Sequence, residues 1–331
     1  MSSTMKIIVT GASGFIGKPL VEALAKHGHA GIATGRTPPI GLPSYWTSLS
    51  RSELLHSGDQ ADSFDAIIHL EVKHHVSRPN PNDLSAFDEV NVTGTRSWLA
   101  LATRQRVKRF VYVSSVKAVE QRDGVSYEHS NLETSDPYGR SKANAENFVR
   151  QWAADDRERH ATILRFSPVY GPGNEANFAS FARQVIEGKP CLIAAGEARK
   201  SILSRLNAVA AIEHVLLNSR PGCETYNVSD PGCISMATLA QHIANTAKAT
   251  SPRRIPWLIA AFGAKAGDAL ELLTRKEFPL NTRKMKTLTR NSIFPPDKLA
   301  TTGFVPIQTT EEGITEMVEW LIDQRSKRRF G

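Results

Sequence analysis

Nowhere in the 331-residue chain do 18 apolar residues run together, so no membrane span is predicted. The most apolar helical stretch, Ile255 to Ala264, is soon interrupted by Lys265, Gly267 and Asp268. Cysteine is scarce: Cys191, Cys223 and Cys233 are widely spaced and form no Cys-x-x-Cys. That excludes a disulfide framework and points to reduced core thiols. No charged-then-apolar leader precedes the first strand. Together these absences predict a cytoplasmic protein. The formal charge is +8, yet the basic residues are dispersed and no aromatic-interleaved basic stripe occurs, so no nucleic-acid partner is expected. A positive field that draws in a polyanionic small substrate is the better use of that charge. His74-His75 has no partner at ligand spacing, so no metal site is expected.

What the chain does have begins at once. Met5-Lys6-Ile7-Ile8-Val9 is an apolar, β-branched run of the kind that makes a buried strand. Thr10-Gly11-Ala12-Ser13-Gly14-Phe15-Ile16-Gly17 follows, and then Leu20, Val21, Leu24 and Ala25 recur at helical spacing. Glycines in a strand-to-helix turn let an anion approach the backbone amides of a helix N-terminus without meeting a Cβ. The spacing is Gly-x-x-Gly-x-x-Gly, and the context predicts a dinucleotide site. After the next strand, Gly31-Ile32-Ala33-Thr34, comes Gly35-Arg36-Thr37 with no acidic residue. An acidic residue there would hold the adenosine ribose hydroxyls of NAD, whereas Arg36 suits a 2′-phosphate. The expected cofactor is NADP or NAD, with Arg36 favouring NADP.

Ala66 to Leu70, Arg109 to Val113 and Ala161 to Arg165 read as further buried strands. Leu84 to Gln105 and Tyr138 into the 150s read as helices, the second capped by Asp136-Pro137. Between Pro38 and Asp62 no third strand is evident. The alternation predicts an α/β fold with a doubly wound parallel sheet of the Rossmann type. Beyond Gly173 the pattern becomes irregular and rich in proline punctuation. The expected division is a dinucleotide-binding domain over 1–172 and, over 173–331, mainly a smaller α/β substrate lobe, with some segments returning to the first domain.

Tyr138-Gly139-Arg140-Ser141-Lys142 places a tyrosine and a lysine at i and i+4, on one helix face. A lysine ammonium one turn away should favour the phenolate and lower the tyrosine's ordinary pKa of about 10. Such a tyrosine can exchange a proton with a sugar hydroxyl while a hydride moves between sugar and nicotinamide. Ser114-Ser115 ends the preceding strand, and a hydroxyl there can hydrogen-bond the reacting oxygen. Ser115 is the choice and Ser114 its neighbour.

With the glycine turn, Ser114-Ser115 and Tyr138-x-x-x-Lys142 in hand, the chain resembles the extended short-chain dehydrogenase/reductases. Within them it is similar to the nucleotide-sugar epimerase/dehydratase family, in its surface-polysaccharide branch. Asn91-Val92-Thr93-Gly94, Asp136-Pro137-Tyr138 and Leu164 through Gly173 add to the likeness. The resemblance implies a nucleoside-diphosphate sugar substrate, UDP-linked, with chemistry at the sugar C4. It implies Tyr138 as acid/base, Lys142 as its partner that also holds the nicotinamide ribose, and Ser115 as hydrogen-bond donor to the carbonyl. It implies Gly11, Ser13, Gly14, Phe15, Ile16, Gly17, Arg36 and Leu70 around the cofactor. Asn177, Lys200 and Arg205, together with Ser115 and Tyr138, would meet the substrate. A homodimer through the Leu84–Gln105 and Tyr138–Trp152 helices is also implied.

Three positions depart from the family's pattern. His69-Leu70-Glu71-Val72 stands where His-Leu-Ala-Ala is usual, and a carboxylate facing a pyrophosphate would weaken binding, so Glu71 is expected to point away. Lys200-Ser201 stands where an arginine usually grips the substrate diphosphate, with Arg199 and Arg205 as neighbouring cations. Leu206-Asn207 fills the usual acidic place. The functions expected are a UDP-4-keto-hexose reductase or a UDP-hexose 4-epimerase in surface polysaccharide synthesis. The alternative is a non-catalytic dinucleotide sensor on the same fold.

Overall fold

The computed structural model describes residues 4–37, 39–56, 63–74, 81–120, 123–132, 134–175, 177–274, 278 and 280–330. Seven parallel strands form the central sheet. They are β1 (Lys6–Thr10), β2 (Ala30–Thr34), β3 (Trp46–Ser48), β4 (Ala66–His69), β5 (Arg109–Ser115), β6 (His160–Phe166) and β7 (Gly222–Val228). Their spatial order is β7-β6-β5-β4-β1-β2-β3. The order reverses between β1 and β4, and ligands of such sheets bind at the strand ends beside that reversal. β3 lies in the stretch where no strand is evident from sequence. It is only three residues long, on the sheet edge, anchored by the buried Trp46.

Helices cover both faces. The helix α1 (Gly17–Lys26) turns Leu20, Val21 and Leu24 into the core. Residues 81–104 are helical throughout but not one regular helix. Pro81–Phe87 leads into a wider π turn, Asp88–Thr93, and then into α2 (Gly94–Arg104). The π turn swings the Asn91 side chain inward, as such bulges do at working sites. The helix α3 (Pro137–Ala154) starts at Asp136, whose carboxylate accepts the Tyr138 amide at 3.1 Å, with Pro137 at the first helical position.

Beyond β6 the chain builds α4 (Asn177–Ile186), α5 (Arg205–Leu217), α6 (Met236–Thr246), α7 (Trp257–Thr274), α8 (Thr282–Thr289) and α9 (Thr310–Phe330). β7 and α5 return to the central sheet, where Val209, Ile212 and Leu216 join the core under β1 and β4. α4, α6 and α9 close a separate apolar core around Val185, Leu239, Ile243 and Val318. No helix among the described residues is long and apolar enough to cross a membrane.

Candidate active site

The glycine turn joins β1 to α1 at the strand reversal. A Cβ on Gly17 would lie 2.2 Å from the Gly11 carbonyl oxygen, so the turn closes this tightly only with glycine. The Ala12 amide bonds the Thr34 carbonyl at 2.9 Å, and Ser13 lies against Gly35. That sets the start of the turn beside the end of β2. No side chain caps α1 at Ile16, and its first turn holds no acidic residue. The Lys18 amide bonds the Gly14 carbonyl at 3.1 Å and Pro19 has no amide proton, so an anion would be met by the turn amides ahead of them, and the residues fit a dinucleotide pyrophosphate. Arg36 is exposed just past β2, and no carboxylate among the described residues is paired with it.

Beside the turn, a buried network fixes the end of β4. The Leu70 and Glu71 amides both donate to Thr10 Oγ1 at 3.1 Å. The Thr10 hydroxyl proton is then free to go to His69 Nδ1, 2.7 Å away. The Thr95 hydroxyl donates to the Asn91 carbonyl, so His69 Nε2 must carry the proton it shares with Thr95 at 3.1 Å. Burial holds the His69 pKa well below its ordinary value, helped by the Lys142 and Arg51 charges, so the ring is neutral.

Glu71 is turned away from the glycine turn. Its carboxylate accepts the Trp98 indole N–H at 2.9 Å and meets the Arg51 guanidinium at 3.3 Å. The cost expected of a carboxylate near the pyrophosphate is thereby avoided. Arg51 and Trp98 stand 20 and 27 residues away, and nothing in the local sequence announces either partner.

The tyrosine, lysine and serine meet at the ends of β5 and α3. Gly139 allows it: a Cβ there would lie 2.1 Å from the Lys117 carbonyl oxygen, so α3 rests directly on the turn after β5. Ser115 hydrogen-bonds the Tyr138 phenol. Ser114 points to the opposite side and donates to Glu146 at 2.6 Å, which distinguishes the two serines. Lys142 is buried, its ammonium donating to the Val113 carbonyl at 2.7 Å and standing 4.2 Å from the Tyr112 ring centre.

The acid-base balance differs from the expectation at Tyr138. Burial pushes its pKa up to about 12, against the lowering effect of Ser115. Burial likewise drives Lys142 down to about 7, partly opposed by Glu146. Desolvation penalises both charged forms, and the ammonium is committed to Val113 and Tyr112. Tyr138 is thus a phenol at neutral pH, a proton donor as it stands.

Several supporting residues were not among those singled out from sequence as site residues. Asn91 accepts the Lys73 amide at 2.8 Å and donates to Ser141 at 2.9 Å, tying the loop after β4 to α3. Glu146 lies one further turn along the Tyr138–Lys142 face, an i+8 position visible in the spacing. Burial pushes its carboxyl up, but Arg165, Ser114 and Arg150 outweigh this and hold it below its usual range. Arg165 pairs with it at 2.8 Å, and both side chains are almost wholly buried.

The second-lobe residues are spread more widely. Arg205 donates to the Pro172 carbonyl at 2.6 Å, and its guanidinium stands 5.4 Å from the Phe15 ring centre, so it reaches the glycine turn. The Lys200 ammonium caps the C-terminal end of α8, donating to the Thr287 carbonyl at 2.6 Å and to the Arg290 carbonyl. Burial lowers its pKa to about 8. Asn207 is saturated: its amide donates to Asp230 and the Gln308 carbonyl and accepts the Ile307 and Gln308 amides. Asn177 opens α4, and its side chain lies outside the described residues, as does His75. A cavity of about 510 Å³ lies in this lobe, with Arg199, Lys200, Asp230 and Cys233 on its walls. Ser115, Tyr138 and Lys142 do not line it, so the site is placed by those side chains and not by the cavity. Among the described residues no cluster of histidine, cysteine, aspartate and glutamate could hold a metal ion.

Comparison with known proteins bears on this geometry. Residues 7–229 match the profile of the NAD dependent epimerase/dehydratase family. An N-acetyl-alpha-D-glucosaminyl-diphospho-ditrans,octacis-undecaprenol 4-epimerase of Escherichia coli O157:H7 is 27% identical over 321 residues, covering 95% of this chain and 94% of its own. A UDP-glucose 4-epimerase of Vibrio cholerae is 26% identical over 339 residues, covering 97% of each. In fold, the chain is similar to a Bacillus cereus UDP-glucuronic acid 4-epimerase solved with UDP-glucuronic acid and NAD. That likeness has a TM-score of 0.75 at 18% identity, over 97% of this chain and 100% of the other.

Proposed function

The chain belongs to the NAD dependent epimerase/dehydratase family, and from that premise we propose that it inverts C4 of a hexose carried on a diphosphate. The observation that supports this most is the Ser115–Tyr138 hydrogen bond at the sheet edge, with Lys142 buried one turn further along α3. A nicotinamide dinucleotide, when bound, supplies the hydride acceptor and, in its oxidised form, a positive charge. Gly11, Ser13, Gly14, Phe15, Ile16, Gly17 and Leu70 are the residues we assign to holding it, with Lys142 at its ribose and Arg36 for a 2′-phosphate where NADP binds. Tyr138 exchanges the proton of the sugar 4-hydroxyl, and Ser115 holds the same oxygen. Once a 4-keto sugar has formed by loss of the C4 hydride and the hydroxyl proton, rotation in the substrate lobe presents its other face, and the Tyr138 proton returns to the oxygen as the hydride returns to C4. Arg205 and Asn177 are the residues we assign to the substrate; the Lys200 ammonium is already committed to the Thr287 and Arg290 carbonyls. The group beyond the diphosphate is a nucleoside or a polyprenol, since relatives with each kind of name match 95% and 97% of the chain.

The test offers UDP-hexoses, UDP-N-acetylhexosamines and a polyprenyl-diphospho-N-acetylhexosamine to the purified chain, with acid release of any dinucleotide that co-purifies. The expected result is C4 inversion of one of them with no net consumption of dinucleotide. Stoichiometric consumption of NADPH or NADH with a 4-keto sugar would make the protein a reductase. Dinucleotide binding without turnover of any of them would make it a sensor.

A further inference from the structure

The helix α7 has two apolar faces, and the fold uses one of them. The inner face is a narrow stripe of Ala260, Ala264 and Gly267, packed against Ile193, Met285 and Leu280. A Cβ on Gly267 would lie 2.0 Å from the Leu280 carbonyl oxygen, so this contact leaves no room to roll the helix. The polar groups of the hairpin are satisfied internally. Buried Glu271 accepts the Phe278 amide and the Asn281 side chain at 2.7 and 2.9 Å, and Asn281 caps α8.

The outer face holds Leu258, Ile259, Phe262 and Leu273, with Leu272 at its margin, and Trp257 is half-exposed at the start of the helix. Leu258, Phe262 and Leu273 are 70%, 75% and 81% exposed. At 100° per residue they fall on one side, opposite the alanines, along roughly 24 Å of helix. A contiguous exposed apolar face of this length marks an interaction surface.

Its surroundings are basic. Arg253, Arg254, Lys265, Arg283, Lys286 and Arg290 are exposed on or beside the hairpin. From Arg253 to Arg290 the sequence has nine lysines and arginines and three acidic residues. Of the described acids there, Glu271 is buried and Asp268 accepts hydrogen bonds from Thr282. Two copies docked face to face would bring like charges together. An anionic lipid surface would neutralise them while its acyl boundary took the leucines and Phe262.

We propose that the outer face of α7 docks this protein, lying in the plane of the interface, onto an anionic lipid bilayer. Nothing in this requires a span, since α7 is not apolar enough to cross. The hairpin is also joined to the catalytic lobe. Lys200 of the second lobe caps α8, and just past α8 the Asn291 amide donates at 2.7 Å to Asp123, eight residues beyond Ser115. Docking therefore sets the site beside the bilayer, where a polyprenyl-diphospho sugar would present its head group; that last clause rests on the function proposed above, and the docking does not.

The test is sedimentation of the full chain with sucrose-loaded vesicles of phosphatidylcholine alone, or of phosphatidylcholine and phosphatidylglycerol in equal parts. Binding is expected to be at least about tenfold stronger to the second kind and to weaken as salt rises. The doubly substituted Leu258→Glu, Phe262→Glu protein is expected to lose at least about tenfold in binding. Its melting temperature should be unchanged, because both side chains point outward. Tryptophan emission should shift to the blue on vesicles, and the shift should be lost in a Trp257→Phe protein, since Trp46, Trp98 and Trp152 are buried and Trp320 is half-buried in the core of α4, α6 and α9. No sedimentation with either vesicle overturns the proposal, as does equal binding to both. A dimer split by the double substitution, with no vesicle binding, overturns it in favour of a second copy. None of these readouts needs turnover, so failure of docking is distinct from failure of the proposed reaction.

Discussion

Tyr138→Phe is expected to retain dinucleotide and to lose at least about a hundredfold in turnover, the scale of positioned acid-base catalysis. The substitution removes one oxygen and keeps the ring, which packs edge-on to Phe87 with centroids 6.0 Å apart. Stability should therefore change by no more than about 1 kcal/mol, the worth of the hydrogen bond to Ser115. The phenol is held at about 12 by burial, opposed by Ser115, so at neutral pH it is poised to donate. To accept a proton it needs positive charge brought close by bound ligand, and turnover in the oxidising direction should rise with pH before it levels. Equilibrium dialysis with the dinucleotide and initial rates on the same preparation separate binding from chemistry. Unchanged turnover would remove Tyr138 from the reaction.

Lys142→Met is expected to abolish measurable turnover and to make the protein more stable near pH 6. The ammonium is nearly fully buried, and burial lowers its pKa from 10.5 to about 7, with Glu146 opposing. Below pH 7 the native and unfolded chains both bind the proton, and the cost of the buried charge is fully present. Between pH 7 and 10.5 the native chain has shed a proton that the unfolded chain keeps, so stability rises with pH. Methionine removes that dependence. The variant should gain about 1–3 kcal/mol at pH 6, after the lost bond to the Val113 carbonyl, and the gain should shrink toward pH 10. Chemical denaturation of both proteins across that range measures it. A variant less stable at pH 6 would mean that the ammonium is not desolvated as the geometry requires. A lysine kept at a cost in stability is what a working site calls for.

These two residues also show how far the sequence is legible. Tyr138 and Lys142 are four apart on one helix, so their common face follows from helix geometry alone, as does the glycine turn between β1 and α1. Their proton affinities do not follow, because burial by Phe87, Tyr112 and Val113 is a tertiary property. Glu71 read alone threatens the pyrophosphate turn; Arg51 and Trp98, brought in from other elements, hold it aside. Lys200 read alone is a free cation for a diphosphate. The fold gives it the carbonyls of Thr287 and Arg290, about ninety residues on. The short edge strand Trp46–Ser48 stayed hidden because three residues cannot show a period. The outer face of α7 was visible as an apolar run, but only the packing shows that its alanines, and not its leucines, face inward.

The proposed reaction stands on a hydride that leaves C4 and returns to C4. The direct measurement is turnover of the accepted sugar diphosphate labelled with deuterium at C4, in ordinary water, with the product read by mass spectrometry and NMR. The expected result is an inverted C4 that keeps its deuterium, with no dinucleotide added and none consumed. Loss of the label to water, or its appearance in a released dinucleotide, would contradict it.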